Sequence, residues 1–365
     1  MFRSLFKRGT GDSSGNGLKE VWIGVGALVL VGGLIALTIY GTASQVTPEI
    51  TVDDSGIEVE VVLRHPLTGE ILSEELESLP QVFGVMVENS ADAWPLSGID
   101  EAFLVIEAPV EGTIPRFVTF FMEGTEVEKV GPVRSARPYY LDWNDELQGV
   151  YAHVGGSPEA LDYIKYDYDT IDLNQFWQSE YFYRQNGYRY APHNVYTTGE
   201  LLNESLNELD LDDPNYESWT FKDDSPVNIE DARSLSIDWS DGATYDVEWH
   251  YNFETNDYTR YQSRYVMEME NDNTVEANNV IVMSADIRVI DNVGRRNIAT
   301  VGQGDALIAQ DGEMYLARWV KEERTGRLRF FTTDGFEISL NAGTTWIEVV
   351  DDLGVVETME VELDE

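Results

Sequence analysis

The apolar positions change period along the chain, and each period predicts a different kind of element. Val21 to Tyr40, VWIGVGALVLVGGLIALTIY, is an apolar run without a charge. At about 1.5 Å of rise per helical residue it is long enough to cross a hydrocarbon layer of about 30 Å. Past a polar tether the pattern becomes IEVEVVLRHPLTGE, where apolar and charged residues alternate until Pro66 and Gly69, as in a strand entering a turn. VFGVMVEN (82–89), AFLVIEAPV (102–110) and RFVTFFM (116–122) are short apolar and aromatic runs closed by turn residues, which predicts buried strands of a sheet. GGSPEALDYIKY then predicts a helix. Ser157 is a natural N-cap, Pro158 fits the first helical position, Glu159 suits the positive helix end, and Ala160, Leu161 and Ile164 share a face.

An acidic stretch containing DLDDPN and KDDSP marks a boundary, after which the texture changes. ATYDVEWHYN, TRYQSRYVMEM, NNVIVMSADIRVID, GDALIAQDGEMYLARWVKE, RLRFFTTDGFEISL and TTWIEVVDD alternate with a period of two between the turns NDN, QDGE, TTDG and NAG. The predicted fold class is α+β, with an N-terminal transmembrane helix, a mixed α/β first domain and a mainly-β second domain. The expected limits are 1–20 for a cytoplasmic N-terminus, 21–41 for the anchor and 42–57 for the tether. The first domain is expected at 58–205, a linker at 206–228, the β-rich domain at 229–350, and an acidic tail or edge strand at 351–365.

Composition adds an address. Arg3, Lys7, Arg8 and Lys19 precede the apolar run and no Lys or Arg follows it until Arg64. The positive-inside rule therefore predicts a single pass with the N-terminus in the cytoplasm and the bulk of the chain outside. A formal net charge of -43, spread along the chain, excludes binding of DNA, RNA or anionic lipid through a broad basic face. With no cysteine there is no disulfide, no thiolate metal site and no lipid-modified cysteine.

Against that acid background, GPVRSARPYY (131–140) places two arginines three residues apart. Arg116, Arg134 and Arg137 fall at or near strand ends, and the guanidinium fork grips carboxylate or phosphate through paired hydrogen bonds. Two readings stand: a three-arginine anion site, or a buried structural network with Glu88, Glu107, Glu111 or Asp142. Under the first, Gly155, Gly156 and Ser157 add backbone N–H groups at the helix start, and Glu88, Glu111 and Asn194 join the ligand-contact candidates. His153 in HVGGSP and His193 in APHN are candidates for proton transfer, with Asp142 or Glu107 as partner carboxylates, or are hydrogen-bonded structural residues. With Asp142 or Glu107 they are alternatively metal ligands, a weak signal for two widely separated histidines without a short-spaced partner such as H-x-x-x-H, so no metal site is assigned. Ser135 and Ser157 lack the G-x-S-x-G setting of a hydrolase nucleophile. Aromatic stretches such as YFYRQNGYRY either fill the core or stack on sugar faces.

GVMVENSADAWPLSGIDEAFLVIEAPVEGTIPRF, VGPVRSARPYYLD, YAHVGGSPEALDYI and APHNVYTTGELL stand in the order of the signature blocks of the YerB-like family, which this chain resembles. YTRY, NNVIV, GQGDALI and DGFEISLNAGTTWIEVV are similar to that family's C-terminal domain. The resemblance implies a bacterial envelope protein without an assigned activity. Members are typically lipoproteins, and here a helix is expected in place of the lipid. RFVTFF, VRSAR and YAHVGGSPEAL also resemble, over that stretch alone, the LytR-CpsA-Psr proteins, which transfer lipid-linked glycopolymers. That pattern sets acids beside the arginines, where this chain has Pro115 and Ser135. The expectation is an envelope binding or assembly module without a cofactor, its partners cell-wall glycan, lipid-linked phosphate or an envelope protein. The alternative is a phosphotransferase or hydrolase acting on such material. Mg²⁺ belongs to that alternative alone, with Glu107, Glu111 or Asp142 as its ligands.

Overall fold

The computed structural model of the protein describes residues 49–52, 58–187, 189–209, 211–239 and 242–361. The expected span at 21–41 lies outside them. Among the described residues no helix is long and apolar enough to cross a membrane. The chain divides into two units, 1–61 and 62–365. In the first, Glu49–Val52 pairs antiparallel with Glu58–Val61.

The second unit is mostly β. Its main strands, in chain order, are β1 (Val82–Glu88), β2 (Leu104–Pro109), β3 (Pro115–Met122), β4 (Val150–His153), β5 (Ile171–Asn174), β6 (Arg233–Ile237), β7 (Val247–Asn252) and β8 (Asp257–Gln262). They continue as β9 (Tyr265–Val266), β10 (Glu276–Ala277), β11 (Asn279–Ser284), β12 (Gly302–Gln310), β13 (Glu313–Lys321), β14 (Arg329–Thr332), β15 (Thr345–Val350) and β16 (Val356–Glu360). One mixed sheet of ten strands runs β14-β13-β12-β11-β15-β2-β3-β1-β4-β5, and a second runs β9-β8-β7-β6-β16 with β10 beside β8. The strands before and after the acidic stretch at 206–228 therefore share a sheet, joined where β15 runs parallel to β2. Within that stretch Tyr216 and Trp219 are themselves buried. The last segment forms the edge strand β16.

Both faces of the large sheet are covered. Phe83, Val85, Val87, Val105, Phe117 and Trp346 pack with Leu235, Val247 and Trp249 of the second sheet. Val82, Met86, Leu104, Ala108, Val118 and Ile347 pack on the other side with Tyr139, Tyr140 and Trp143. That is why VFGVMVE is apolar almost without a break, since alternate residues enter two different cores.

Three short helices complete the unit: α1 (Pro138–Asp145), α2 (Pro158–Asp162) and α3 (Gly199–Ser205). The expected helix at 157–164 is α2, capped as predicted by the Ser157 side chain, which accepts from the Ala160 N–H at 3.2 Å. It continues into a wider turn over Tyr163–Asp167. The sequence did not predict α1, although Pro138 occupies its first turn, because most of that helix is buried and it shows no amphipathic period.

Candidate functional site

The segment GPVRSARPYY crosses the end of β1 as an extended strip. The Arg134 N–H donates to Met86 O at 2.8 Å, Val133 N–H to Val195 O at 2.7 Å, and Val154 N–H to Arg134 O at 3.0 Å. Ala136 bridges Gly156, with its N–H on Gly155 O at 2.9 Å. Gly131 starts the strip at φ 140°, where a Cβ would lie 2.8 Å from Val133 N and 2.9 Å from Val195 O, so no side chain fits. The two tyrosines that end the motif anchor α1: the Tyr139 hydroxyl reaches Pro109 O at 3.0 Å, and that of Tyr140 lies between Ala108 O (2.9 Å) and Arg116 O (2.7 Å).

This framework brings the three arginines together. Arg116 stands on β3 opposite Glu88 of β1 and Ala108 of β2. It is 7% exposed, and its Nη1 donates to Ser135 O at 2.9 Å. Among the described residues it has no carboxylate within ion-pair distance. Burial first and then the charge of Arg137, with a smaller contribution from Arg134, lower its pKa to about 10 against the opposing influence of Tyr140 and Tyr139, so it stays cationic at neutral pH. Arg137 is fully engaged, gripping Glu111 with two bonds of 2.8 and 2.6 Å and donating to Ala136 O at 2.7 Å. Burial works against the Glu111 charge, but the bonds and charge of Arg137 outweigh it and hold that carboxyl below its ordinary range. Arg134 is held loosely, with Nε 3.4 Å from Glu88 Oε1 and Nη1 3.4 Å from Pro192 O. Glu88, 3% exposed, accepts on Oε1 from Ser90 (2.6 Å) and lies 2.8 Å from His193 Nδ1. Its Oε2 and the Nε of Arg134 are buried and make no hydrogen bond to the described residues. Three guanidinium groups therefore face two carboxylates, and the cation without an acidic partner is the most buried.

Glu88, Glu111 and His193 join the arginines, the Gly155–Gly156–Ser157 turn pairs with the strip at Ala136, and the side chains of the other candidates are engaged elsewhere. The N–H groups of Gly155 and Ser157 are already engaged, by Asn174 Oδ1 at 3.2 Å and Ala136 O at 3.2 Å. His153 is fully buried, with Nδ1 2.6 Å from Gly155 O and Nε2 2.6 Å from Asp172 Oδ1, so both ring nitrogens hold structure. Asn194 takes Arg184 Nη1 at 2.9 Å within its own hairpin. Asp142 accepts from Thr300, and burial lifts it to about 6. Among the described residues no group of three or more His, Asp or Glu stands ready for a metal ion.

Glu107 is on the opposite face of the sheet. It is one residue from Ala108, whose face Arg116 shares, so the strand alternation turns it toward the second sheet. There it meets two residues that sequence reasoning missed. Arg260 Nη2 donates to Glu107 Oε2 at 2.7 Å, and Glu348 is its cross-strand neighbour. Glu107, Glu348 and Arg260 all have zero exposure, and Trp249 donates to Glu348 Oε1 at 3.0 Å. The signal was a lone glutamate inside each of the apolar runs LVIEAP and TWIEVV.

A mostly β unit, in which a mixed sheet is covered by a second sheet and short helices, thus carries a buried arginine cluster at the ends of two interior strands. Residues 67–212 match the family described as "Protein of unknown function (DUF3048) N-terminal domain", and residues 235–347 match its C-terminal domain. The chain belongs to this YerB-like family, as the sequence resemblance indicated. It is 29% identical over 302 residues to YerB of Bacillus subtilis (strain 168), whose name classes it with the lipoproteins, covering 80% of this chain and 87% of that protein. The crystal structure of Bacillus subtilis YerB superposes with a TM-score of 0.72 at 27% identity, over 81% of this chain and 99% of that one.

Proposed function

We propose that this protein is a membrane-anchored, extracytoplasmic binding or assembly module that holds an anionic group against Arg116 and Arg134. The observation that carries the reading is Arg116, a nearly buried guanidinium without an acidic partner among the described residues, beside the unsatisfied Nε of Arg134. A phosphate or carboxylate oxygen would supply the missing charge and hydrogen bonds. The overall charge of -43 repels free polyanions, so the ligand is a small group or one tethered nearby, such as wall polymer, a lipid-linked phosphate or the side chain of an envelope protein. The apolar run at 21–40 and the name of the Bacillus relative support the membrane address.

One observation favours the second reading, an enzyme acting on lipid-linked phosphate or wall glycopolymer. Glu88 fixes His193 through Nδ1, which leaves Nε2 as the nitrogen able to exchange a proton beside the two arginines.

Calorimetry of the full chain with inorganic phosphate and glycerol phosphate tests the first reading against Arg134→Gln and Arg116→Lys. Binding weakened about tenfold or more, equivalent to about 1.4 kcal/mol, in variants that melt like the parent would support it. No heat with the parent, or unchanged binding in both variants, would refute it. Phosphate release from glycerol phosphate that His193→Gln abolishes would move the assignment to the enzyme.

A further inference from the structure

The hairpin formed by Ile287–Val289 and Arg296–Ile298 pairs with no other described strand. Its root is in the core, where Ile298 is 4% exposed and Ile287 packs against the same cluster. Its tip is the reverse: Val289 is 59% exposed, Ile290 48% and Val293 69%. The turn is well made, because Asp291 Oδ1 accepts from Val293 N–H at 2.9 Å and from Arg295 N–H at 3.1 Å. Three aliphatic side chains are thus displayed to water by a hydrogen-bonded turn, and isolated exposure does not account for that grouping. Residues 286–298 also carry three arginines against two aspartates, a local charge of +1 in a strongly acidic chain, with Arg288 paired to Asp286, Arg295 paired to Asp291 and Arg296 left without a carboxylate among the described residues.

We infer that this hairpin is a contact with the lipid surface, its aliphatic tip entering the boundary between head groups and acyl chains while its arginines meet phosphate. The inference rests on the membrane address proposed above, which keeps the domain near a bilayer. It also deepens that proposal, because Arg296 Nε donates to Val110 O at 2.9 Å, next to the Glu111 that grips Arg137. The hairpin therefore adjoins the arginine site and brings it to the level of lipid phosphates. The net charge of -43 opposes approach to an anionic surface, as it does for free polyanions, so the contact depends on the anchor holding the domain close, within the screening distance of about 8 Å at physiological salt. Aliphatic tip and local basic charge are the two attractions that interfacial segments combine.

The absence of cysteine allows a direct test. The full chain is reconstituted in vesicles of phosphatidylethanolamine and phosphatidylglycerol as the single-cysteine variants Val293→Cys and Tyr265→Cys, each carrying an environment-sensitive fluorophore. Tyr265 is 77% exposed on the second sheet, across the large sheet from the hairpin. Quenching by lipids brominated near the head group is expected for the label at 293, at an immersion of about 5–10 Å, and not at 265. Adding Val289→Asp and Ile290→Asp should abolish the quenching without changing the melt. Equal quenching at both positions, or none at 293, would overturn the inference. An unquenched label together with self-association that Val293→Asp removes would assign the tip to a second copy instead. Extraction with alkaline carbonate reports the anchor separately, so release of the whole chain counts against the membrane address and not the hairpin.

Discussion

Replacing Glu348 by glutamine should leave stability nearly unchanged at pH 5 and raise it progressively toward pH 8. Glu107 and Glu348 stand opposite one another on parallel strands, both fully buried, with one guanidinium between them: Arg260 lies 2.7 Å from Glu107 and 3.9 Å from Glu348. Two carboxylates and one cation would leave a net buried charge, so one carboxyl keeps its proton. Burial pushes Glu348 well above the ordinary 4.5, and the charge of Glu107 adds to it against the attraction of Arg260. An acid whose pKa is higher folded than unfolded makes the native state the better proton binder. Its contribution is complete below the unfolded value and is lost as pH rises from there through the folded value. One proton gives a slope of about 1.4 kcal/mol per pH unit, or about 2–4 °C in Tm for a domain of this size. Glutamine keeps the shape, accepts from Trp249 through its carbonyl and donates to Glu107 where the shared proton was. Thermal melts of parent and Glu348→Gln across the range, subtracted pairwise, cancel groups common to both, including Asp142. A difference that stays flat from pH 5 to pH 8 would refute the shared proton.

Two further expectations follow from the local geometry. Ser157→Ala removes the cap of α2 and should cost about 1 kcal/mol in urea unfolding, and no loss would mean that the hydroxyl leaves the Ala160 N–H unserved. Gly131→Ala forces a Cβ against Val133 N and Val195 O at a left-handed φ, so it should cost about 1–3 kcal/mol and weaken phosphate binding at Arg134 as the strip shifts. A variant as stable as the parent would show that the strip has room to spare.

Much of the β architecture was legible because each strand type leaves its own period. β1, β2 and β3 are covered on both faces and so read as continuous apolar runs, and β7, half-buried, alternates as VEWHYN. The cap at Ser157 was legible because it depends on neighbours in sequence. α1 was not, since six of its eight residues are buried and the aromatic packing of Tyr139, Tyr140 and Trp143, with ring centroids 4.7 to 5.9 Å apart, replaces the amphipathic stripe. The sharing of one sheet by both halves of the chain was also hidden, because β2 and β15 are about as far apart in sequence as the domain allows.

The arginine site shows the same limit more closely. Of the residues nominated from the sequence, Arg116, Arg134, Arg137, Glu88, Glu111 and His193 meet at the end of β1 and β3, whereas the side chains of His153, Asn194, Asp142 and Glu107 are engaged elsewhere. Residue type cannot say which acid serves which base, because that is decided by the side of the sheet on which each side chain emerges. Glu107 and Arg116 lie on adjacent strands, yet a displacement of one residue sends the carboxylate to Arg260 and leaves Arg116 without it. Had the register slipped by one, Glu107 would have neutralised Arg116 and Glu348 would have faced Arg260 alone. The alternation therefore decides two things together: it sets Glu107 and Glu348 beside one guanidinium in one core and, among the described residues, leaves Arg116 without a carboxylate on the other face.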